Sequence, residues 1–333
     1  MIRLDAYTHF FPKRYFERMQ ELVADKGSIK RWVNLPMLWD LEKRLRLVDS
    51  FGDYQQVLSN SQPPIEVVTT PDLAPDLARL ANDGYEELCR KHPDQFPSFV
   101  ASLPMNNPEA AVTEIDRVVQ MGAGGVQIFS NVAGKPLDRP EFFPIFERMA
   151  HHDLPIWLHP ARGAKFPDYK SESKSHYEIW WTFGWPYETS AAMAHIVFAG
   201  MFDKLPNLKI IAHHYGAMVP FFEGRVGPGW DQLGTRTDDE DYGALLKSLK
   251  KRPIDYFRMF YVDTALFGSL SGTRCGLDFY GVDKSIFASD CPFDPEGGPM
   301  YIRETIDVLD KLGLEQPDRE KIYGGNLRRL MKL

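Results

Sequence analysis

The sequence predicts an α/β fold, a TIM-like (β/α)8 barrel, on three observations. Apolar runs rich in β-branched and aromatic residues recur eight times, longer segments with helical periodicity separate them, and several runs end in histidine or aspartate. The strands of a parallel barrel all point their carboxyl ends at one rim, where barrel enzymes hold their active sites. We therefore expect the polar residues at the strand ends to converge.

The expected elements follow the order of the chain. The eight strands cover Arg3–Phe10, Gln55–Asn60, Pro97–Leu103, Gly125–Ser130, Pro155–Pro160, Lys209–His214, Met259–Thr264 and Ser285–Asp290. Five helices are expected at Pro71–Lys91, Pro108–Met121, Arg139–His152, Glu188–Phe202 and Met300–Leu312. The second of these helices opens with Asn107-Pro108, a pair typical of a helix start.

The chain has 333 residues, whereas a barrel of this kind usually needs about 250. The surplus falls at about 12–50 and 162–187, two aromatic-rich segments punctuated by proline and glycine. We expect loops and helices there that cover the site, rather than a second domain. No repeat, low-complexity tract or linker divides the chain, so a single domain over residues 1–333 is predicted.

Composition excludes several classes of partner. A formal net charge of -7 and the lack of a basic block argue against nucleic-acid binding. No apolar stretch is long enough to span a membrane, so no membrane partner is expected. The first residues lead directly into a strand, which leaves no room for a signal peptide. The three cysteines, Cys89, Cys275 and Cys291, lack metal-binding spacing, so a reducing cytoplasm is expected. Cys291 lies near the expected site, where a packing role is favoured over a nucleophile.

Three strand ends supply a candidate metal site. His9 ends the first run, His159 precedes the proline that stops the fifth, and Asp290 closes the apolar run of the eighth. A single histidine in such a place is more often a polar core residue, but a carboxylate that ends so apolar a run needs a cation or a proton. One divalent ion held by His9, His159 and Asp290, zinc first and manganese second, would meet that need with a position left open.

Strand periodicity also predicts which side chains face the barrel axis in two strands. His213 and His214 follow each other at the end of the sixth strand, and alternation sends only one of them to the barrel axis, with a nearly even choice. In the first strand the period of two places Asp5, Tyr7 and His9 on the inner face and their neighbours on the outer face.

A small anionic substrate would need positive charge and, if planar, an aromatic wall. Arg31 and Arg162 are the candidate cations, although a solvated surface charge remains an equal reading of either. Trp185 and Phe293 are candidate substrate contacts. The other aromatic residues that could wall a flat ring or simply pack are Phe10, Phe11, Trp157, Trp180 and Trp181.

Short fragments in a fixed order carry a resemblance that runs nearly end to end. They are Asp5-Ala6-Tyr7-Thr8-His9-Phe10-Phe11-Pro12, Trp39-Asp40 followed by Arg44 and Asp49, Gly125-Val126-Gln127-Ile128, Leu158-His159-Pro160, Pro186-Tyr187-Glu188-Thr189, Leu208-Lys209 through His214-Tyr215-Gly216 to Pro220, Phe260-Tyr261-Val262-Asp263, Ser289-Asp290-Cys291-Pro292-Phe293 and Gly325-Asn326. The chain resembles the amidohydrolase superfamily, in the branch typified by aminocarboxymuconate semialdehyde decarboxylase, which includes the resorcylate and carboxyvanillate decarboxylases.

The resemblance implies a distorted TIM barrel with one divalent metal ion and no organic cofactor. His9 and His159 match metal-binding histidines, Asp290 matches a carboxylate that binds metal and exchanges protons, and His214 matches the catalytic histidine. His213 holds a position that is usually small and apolar. Tyr7 stands where the family has histidine or glutamate, and a phenol that titrates near ~10 is a poor zinc ligand. The metal would then be held weakly, held with Tyr7 as a phenolate ligand, or absent.

The function implied is non-oxidative, metal-dependent decarboxylation of a small aromatic or muconate-type acid, in a homodimer. His214 or Asp290 would protonate the carbon that bears the carboxylate. The alternative is hydrolysis of a lactone or amide, with or without metal, because the same groups can activate water. A non-catalytic binding protein would be favoured if His9, His159 and Asp290 lay more than ~10 Å apart.

Overall fold

The computed structural model describes the whole chain, Met1–Leu333, around one eight-stranded sheet. The strands are β1 (Arg3–His9), β2 (Tyr54–Ser59), β3 (Ser98–Ser102), β4 (Gly125–Phe129), β5 (Ile156–His159), β6 (Ile210–Ala212), β7 (Tyr261–Asp263) and β8 (Ser285–Ile286). They lie in the order β1 to β8, and every neighbouring pair is parallel. The predicted (β/α)8 TIM barrel is therefore confirmed.

The first strand and the chain that follows β8 close the sheet into a barrel. The Ala6 amide donates to the Phe287 carbonyl at 2.9 Å, and the Asp290 amide donates to the Tyr7 carbonyl at 3.1 Å. These hydrogen bonds join the two edges, so no strand edge is left open at that seam.

Helices connect the strands, as the right-handed crossovers of a parallel barrel require. They cover Lys13–Leu22, Lys30–Val33, Leu41–Ser50, Ile65–Val68, Ala74–Lys91, Pro108–Gln120, Phe143–His152, Ile179–Thr182, Gly184–Phe198, Met201–Lys204, His213–Gly216, Tyr242–Ser248, Pro253–Phe257, Leu270–Tyr280, Pro299–Lys311, Gln316–Glu320 and Asn326–Met331. Short 3₁₀ segments cover Lys26–Ile29, Pro36–Leu38, Pro140–Phe142, Trp230–Gln232 and Val282–Lys284, and π-helical turns cover Arg225–Gly229 and Lys321–Gly325. None of these helices combines the length and the apolar character needed to cross a bilayer.

Each of the five predicted helices has a counterpart, and the predicted start of the second is correct. The Asn107 side chain accepts a hydrogen bond from the Ala110 amide at 3.2 Å and so caps that helix. The helix at Leu270–Tyr280, which covers the barrel between β7 and β8, was not predicted. Its glycine, serine and threonine residues weaken the helical pattern of the sequence.

All eight strands end at least one residue earlier than the sequence predicts, and two of them end two or more residues earlier. The run to His214 was expected as strand, but β6 stops at Ala212, and β8 stops at Ile286 rather than at Asp290. Neither His214 nor Asp290 has a strand backbone, because His214 has φ 56° and Asp290 has φ 62°. A left-handed residue cannot continue a strand, so the chain turns at the rim of the barrel.

A bulge in β1 breaks the expected alternation. The register with β2 shifts between Asp5 and Thr8, so Ala6 and Tyr7 both join the cluster inside the barrel. Asp5 instead accepts a hydrogen bond from the Tyr54 hydroxyl at 2.6 Å. The prediction that Asp5 faces inward and Ala6 outward was wrong, because one extra residue in a strand reverses the side to which its neighbours point.

The barrel holds two apolar cores. Thirteen buried residues fill the barrel itself, with Trp157 at the centre and its indole N–H donating to the Ala6 carbonyl at 3.0 Å. The helix Asn326–Met331 closes the amino-terminal end through Leu327 and Leu330. A larger cluster of 65 residues lies between the strands and the surrounding helices. The inner core leaves only the carboxyl end of the barrel for polar side chains.

Both segments predicted as insertions contribute residues to the carboxyl end of the barrel. Helices and 3₁₀ turns fill most of 12–50, whereas 162–187 is mostly turns with one short helix, Ile179–Thr182. Residues of both segments, among them Arg31 and Trp180, line a cavity above the carboxyl ends of the strands.

Candidate metal and proton-transfer site

His9 and His159 are oriented by backbone carbonyls at the rim. The Nδ1 atom of His9 lies 2.8 Å from the Asn60 carbonyl, and that of His159 lies 2.7 Å from the Pro160 carbonyl. A carbonyl only accepts, so each Nδ1 carries a hydrogen and each Nε2 is turned away from the carbonyl, towards the cluster. This is the arrangement in which histidine binds metal ions.

His213 is oriented in the same way by a carboxylate. Its Nδ1 donates to Asp263 Oδ2 at 2.6 Å, and both side chains are fully buried. Its Nε2 has no hydrogen-bond partner and lies 3.5 Å from Asp290 Oδ1. The candidate ligand atoms of His9, His159 and His213 all lie within 4.8 Å of one another.

His214 reaches the same rim through an unusual turn. His214, Tyr215 and Gly216 are all left-handed, with φ of 56°, 55° and 72°. The turn places His214 at the cavity, with Nε2 3.9 Å from Asp290 Oδ2. Alternation allowed only one of the two histidines at the site, and the structure brings both there.

Asp290 carries negative charge among these rings. Burial favours its neutral form, but the neighbouring imidazoles of His213, His214 and His9 outweigh this and hold the pKa of this carboxyl well below its usual range. Its Oδ1 lies 3.0 Å from His9 Nε2. The carboxylate is therefore the anionic centre of the cluster.

The imidazoles differ in their affinity for protons. Burial lowers the pKa of His213, but the Asp263 charge outweighs it and raises the pKa to about 9. Burial, followed by the neighbouring imidazoles, lowers the pKa of His159 and that of His214. When no ion is bound, His213 thus carries a second proton on Nε2 and its charge balances Asp290; a metal ion would take the place of that proton.

Tyr7 lies in this cluster without presenting its hydroxyl to it. The Tyr7 hydroxyl donates to Gln127 Oε1 at 3.1 Å, and its ring stacks on His213 with centroids 4.1 Å apart and an interplanar angle of 17°. Burial, and then the charges of Asp263 and Asp290, raise the pKa of the phenol well above its usual value. The metal-binding role predicted for Tyr7 stays a prediction, and its one hydroxyl is already engaged.

The cluster fits a single divalent metal ion. Imidazole nitrogen and carboxylate oxygen are the donors that zinc and manganese accept. The unpartnered Nε2 of His213 supports this, because a buried polar atom without a partner is costly unless something binds it. The ligand atoms of His159 group with those of His9 and His213, and those of Asp290 group with His213 and His214. The ion shared by His9, His159 and Asp290 therefore stays a prediction.

Above the cluster lies a cavity of about 390 Å³ with His159, His214 and Asp290 at its floor. Its aromatic walls are Trp32, Trp180, Trp181, Trp185, Phe267, Phe293 and Tyr301. Of the predicted substrate contacts, Arg31, Trp185 and Phe293 line this cavity, and Arg31 donates to the Phe293 carbonyl at 2.7 Å. Lys30 and Ser61 also line it and were not predicted.

Arg162 lies elsewhere. It donates to Glu188 Oε1 at 3.1 Å and packs over the Phe166 ring, in a neighbouring cavity of about 1070 Å³. A cation that is already paired has little charge left for a substrate. The structure therefore brings Arg31, but not Arg162, to the cavity above the histidines.

Sequence reasoning gave no role to three buried residues that support the site. Asp263 ends β7 and so shows the same signal as Asp290, a carboxylate at the close of an apolar run. Gln127 binds Tyr7, and the fully buried Arg44 donates to the His9 carbonyl. Burial raises the pKa of the nearby Cys291 thiol to about 12, as for a packing residue.

Comparison with known proteins agrees with this geometry. The model of the amidohydrolase family matches residues 5–333. The chain is 26% identical over 349 residues to 2-amino-3-carboxymuconate-6-semialdehyde decarboxylase of Dictyostelium discoideum, covering 98% of this chain and 90% of the relative. It is 30% identical over 305 residues to gamma-resorcylate decarboxylase of Rhizobium sp., covering 88% and 87%. A crystal structure of dihydroxybenzoic acid decarboxylase from Polaromonas sp., with bound manganese and the inhibitor 2-nitroresorcinol, superimposes with a TM-score of 0.80 at 26% identity, covering 100% of this chain and 97% of that one.

Proposed function

This chain belongs to the amidohydrolase family, and we propose that it is a metal-dependent, non-oxidative decarboxylase of a small aromatic or muconate-type carboxylic acid. One observation carries the proposal. A proton-transfer pair, His214 and Asp290, lies at the floor of an aromatic-walled cavity, directly beside a cluster of imidazoles that fits one divalent ion.

The cavity supports a flat, anionic substrate. Its volume of about 390 Å³ is near the lower end for small-molecule sites, which suits a single ring. Aromatic side chains such as Trp185 and Phe293 offer faces for stacking. Arg31 and Lys30 are the cations on its wall, and they would attract a carboxylate. The relatives named above are decarboxylases of such acids.

His214 is the group placed to deliver a proton. It lines the cavity, whereas His213 lies beneath it, and its Nε2 is 3.9 Å from Asp290 Oδ2. Transfer of a proton from His214 to the ring carbon that bears the carboxylate leaves an electron-deficient ring. The bond to the carboxylate then breaks, its electron pair restores the ring, and carbon dioxide departs. Asp290 stabilises the imidazolium beforehand, and the proton that the product keeps is replaced on His214 from solvent water afterwards.

A bound divalent ion would supply positive charge for the substrate carboxylate and the oxygen beside it. His9, His159 and Asp290 are the residues predicted to hold it. We propose zinc, since imidazole-rich sites suit that ion, although manganese is bound in the structure of the Polaromonas relative.

The proposal also covers the cellular compartment and the oligomeric state. All three cysteines are free, which supports a reducing cytoplasm. Phe183 and Tyr187 lie one helical turn apart and are both exposed, an apolar surface that a second copy of the chain would cover in the proposed homodimer. Light scattering on the purified protein would measure the mass of the assembly.

The test uses purified protein loaded with zinc or manganese and supplied with 2,6-dihydroxybenzoate or a muconate semialdehyde acid. Release of carbon dioxide together with the decarboxylated product is expected. Asp290→Asn should abolish turnover in a folded protein, whereas Asp116→Asn, which alters an Asp–His pair outside the cavity, should not. Ring opening of a lactone without carbon dioxide would instead establish hydrolysis and overturn the proposal.

A further inference from the structure

His213 has a nitrogen that nothing in the protein uses. The side chain is fully buried and its Nε2 has no hydrogen-bond partner. That atom is aimed at the cluster, 3.5 Å from Asp290 Oδ1. A buried acceptor or donor without a partner destabilises the fold, so an occupant of the cluster is the natural partner of this nitrogen.

The distances match those around one metal ion. Donors bound at ~2.0–2.1 Å to a tetrahedral ion lie ~3.3 Å from one another. Asp290 Oδ1 is 3.0 Å from His9 Nε2 and 3.5 Å from His213 Nε2. The ligand atoms of His9, His159 and His213 all lie within 4.8 Å of each other. His213 is the one residue common to this group and to the group formed with His214 and Asp290, so it is the donor that links the two.

The far side of the His213 ring is built as that of a metal ligand. Its Nδ1 donates to Asp263 Oδ2 at 2.6 Å, which fixes the hydrogen on Nδ1 and leaves the lone pair on Nε2. His9 and His159 are held in the same way by carbonyls. In all three imidazoles Nδ1 donates to an oxygen and Nε2 faces the cluster, whereas His214 Nδ1 has no partner.

Tyr7 blocks the corresponding position on β1. Its hydroxyl is turned to Gln127 at 3.1 Å, and its ring lies flat against the His213 ring. The aromatic contact supports His213 from below and fills space that a shorter ligand on β1 would use. The two residues therefore act together, one as a donor and the other as its support.

We propose that His213 is a metal ligand in place of Tyr7, so that His9, His159, His213 and Asp290 bind the ion and His214 alone transfers the proton. The inference rests on the proposed function, because it concerns the ion of that site. It assigns metal binding to His213 and proton transfer to His214, two roles that strand periodicity does not distinguish.

The experiment measures metal binding without substrate. Protein stripped with a chelator is titrated with Co²⁺, followed by its visible absorption, and with Zn²⁺ in competition with a chromophoric chelator. His213→Gln should lower the affinity for both ions by ~100-fold or more, because the loss of a residue that only orients a ligand already lowers metal affinity by about 10–100-fold. The Co²⁺ spectrum should also change, because a nitrogen donor is lost.

Two matched variants serve as controls for binding. His214→Gln changes the adjacent histidine, and Tyr7→Phe removes the hydroxyl but keeps the ring, so both should retain the wild-type affinity and spectrum. A Tyr7→Phe protein that binds as weakly as His213→Gln would overturn the assignment. So would a His213→Gln protein that binds both ions like the wild type.

A rescue variant covers the case in which His213→Gln does not fold, as judged by circular dichroism. The double variant Tyr7→His with His213→Gly moves the imidazole back to β1 and should recover most of the lost affinity. Failure of this folded double variant to bind Co²⁺ would refute the exchange. Carbon dioxide release is measured separately: metal binding through His213 without turnover would refute only the function, and turnover with undiminished binding in His213→Gln would refute only this inference.

Discussion

Replacement of Asp263 by asparagine should weaken metal binding by reversing the tautomer of His213. Asp263 Oδ2 accepts from His213 Nδ1 at 2.6 Å, while Oδ1 accepts from the amides of His214 and Ala265 at 3.0 and 3.1 Å. Asparagine has one acceptor oxygen, which the two amides would retain, so its NH₂ group would face His213. The hydrogen would then move from Nδ1 to Nε2 and occupy the lone pair that faces the ion.

The size of the effect follows from the loss of an outer-shell partner, about 10–100-fold in metal affinity. At 1.4 kcal/mol for each factor of ten, this is about 1.4–2.8 kcal/mol. We expect the upper end, because the variant presents a donor where an acceptor stood. The assay is Zn²⁺ competition with a chromophoric chelator, with stripped protein at neutral pH.

Asp116→Asn is the matched control, since Asp116 accepts from His152 Nε2 at 2.7 Å on the outside of the barrel. Its affinity for Zn²⁺ should equal that of the wild type. Equal affinities for Asp263→Asn and Asp116→Asn would refute the reasoning about the tautomer. A loss in Asp263→Asn that also appears in the His213→Gln background would show that it acts through another residue.

Three further outcomes are expected. His214→Gln should lower kcat by about 10²–10⁴-fold, as for loss of a general acid, with an unchanged metal content by elemental analysis; normal turnover would remove His214 from the reaction. Arg31→Gln should raise KM for an aromatic carboxylate more than Arg162→Gln does, because only Arg31 lines the cavity; the reverse order in steady-state kinetics would contradict the substrate position. Burial raises the pKa of Glu66 from 4.5 to about 8. Between these two pH values the unfolded chain loses the Glu66 proton and the folded protein keeps it, so the free energy of unfolding falls as pH rises from 4.5 to about 8. Glu66→Gln should therefore gain up to about 4 kcal/mol in urea unfolding at pH 8 and almost nothing at pH 4, at about 1.36 kcal/mol per unit of pKa; parallel pH profiles for the two proteins would contradict this.

The sequence predicts the parts of the site that depend on local pattern. His9, His159 and Asp290 each close an apolar run, and the parallel barrel carries every such end to the same rim. The position of each residue was enough, because the carboxyl ends of all the strands meet at one rim, where barrel enzymes hold their polar active-site residues. Asp263 shows the same signal at the end of β7 and could have been found in this way.

Other features depend on contacts between distant residues. Arg162 pairs with Glu188, and that pairing depends on how the segment 162–187 folds, which no periodicity encodes. The bulge in β1 shifts Ala6 and Tyr7 to the same side. A bulge is set by the fit between β1 and its neighbours, so strict alternation from the sequence assigned Asp5 to the wrong face.

His213 and His214 both reach the site because of the turn that follows β6, and this turn depends on Asp263. A left-handed histidine costs roughly 1–2 kcal/mol, and a Cβ at Gly216 would meet the Tyr280 hydroxyl at 2.2 Å. Asp263 offsets this cost, since one carboxylate oxygen fixes the His213 ring and the other accepts from the His214 amide at 3.0 Å. A single side chain therefore sets both the orientation of the proposed ligand and the position of the proton donor. Strain concentrates where the two tasks meet, because only a left-handed turn lets consecutive residues serve one rim.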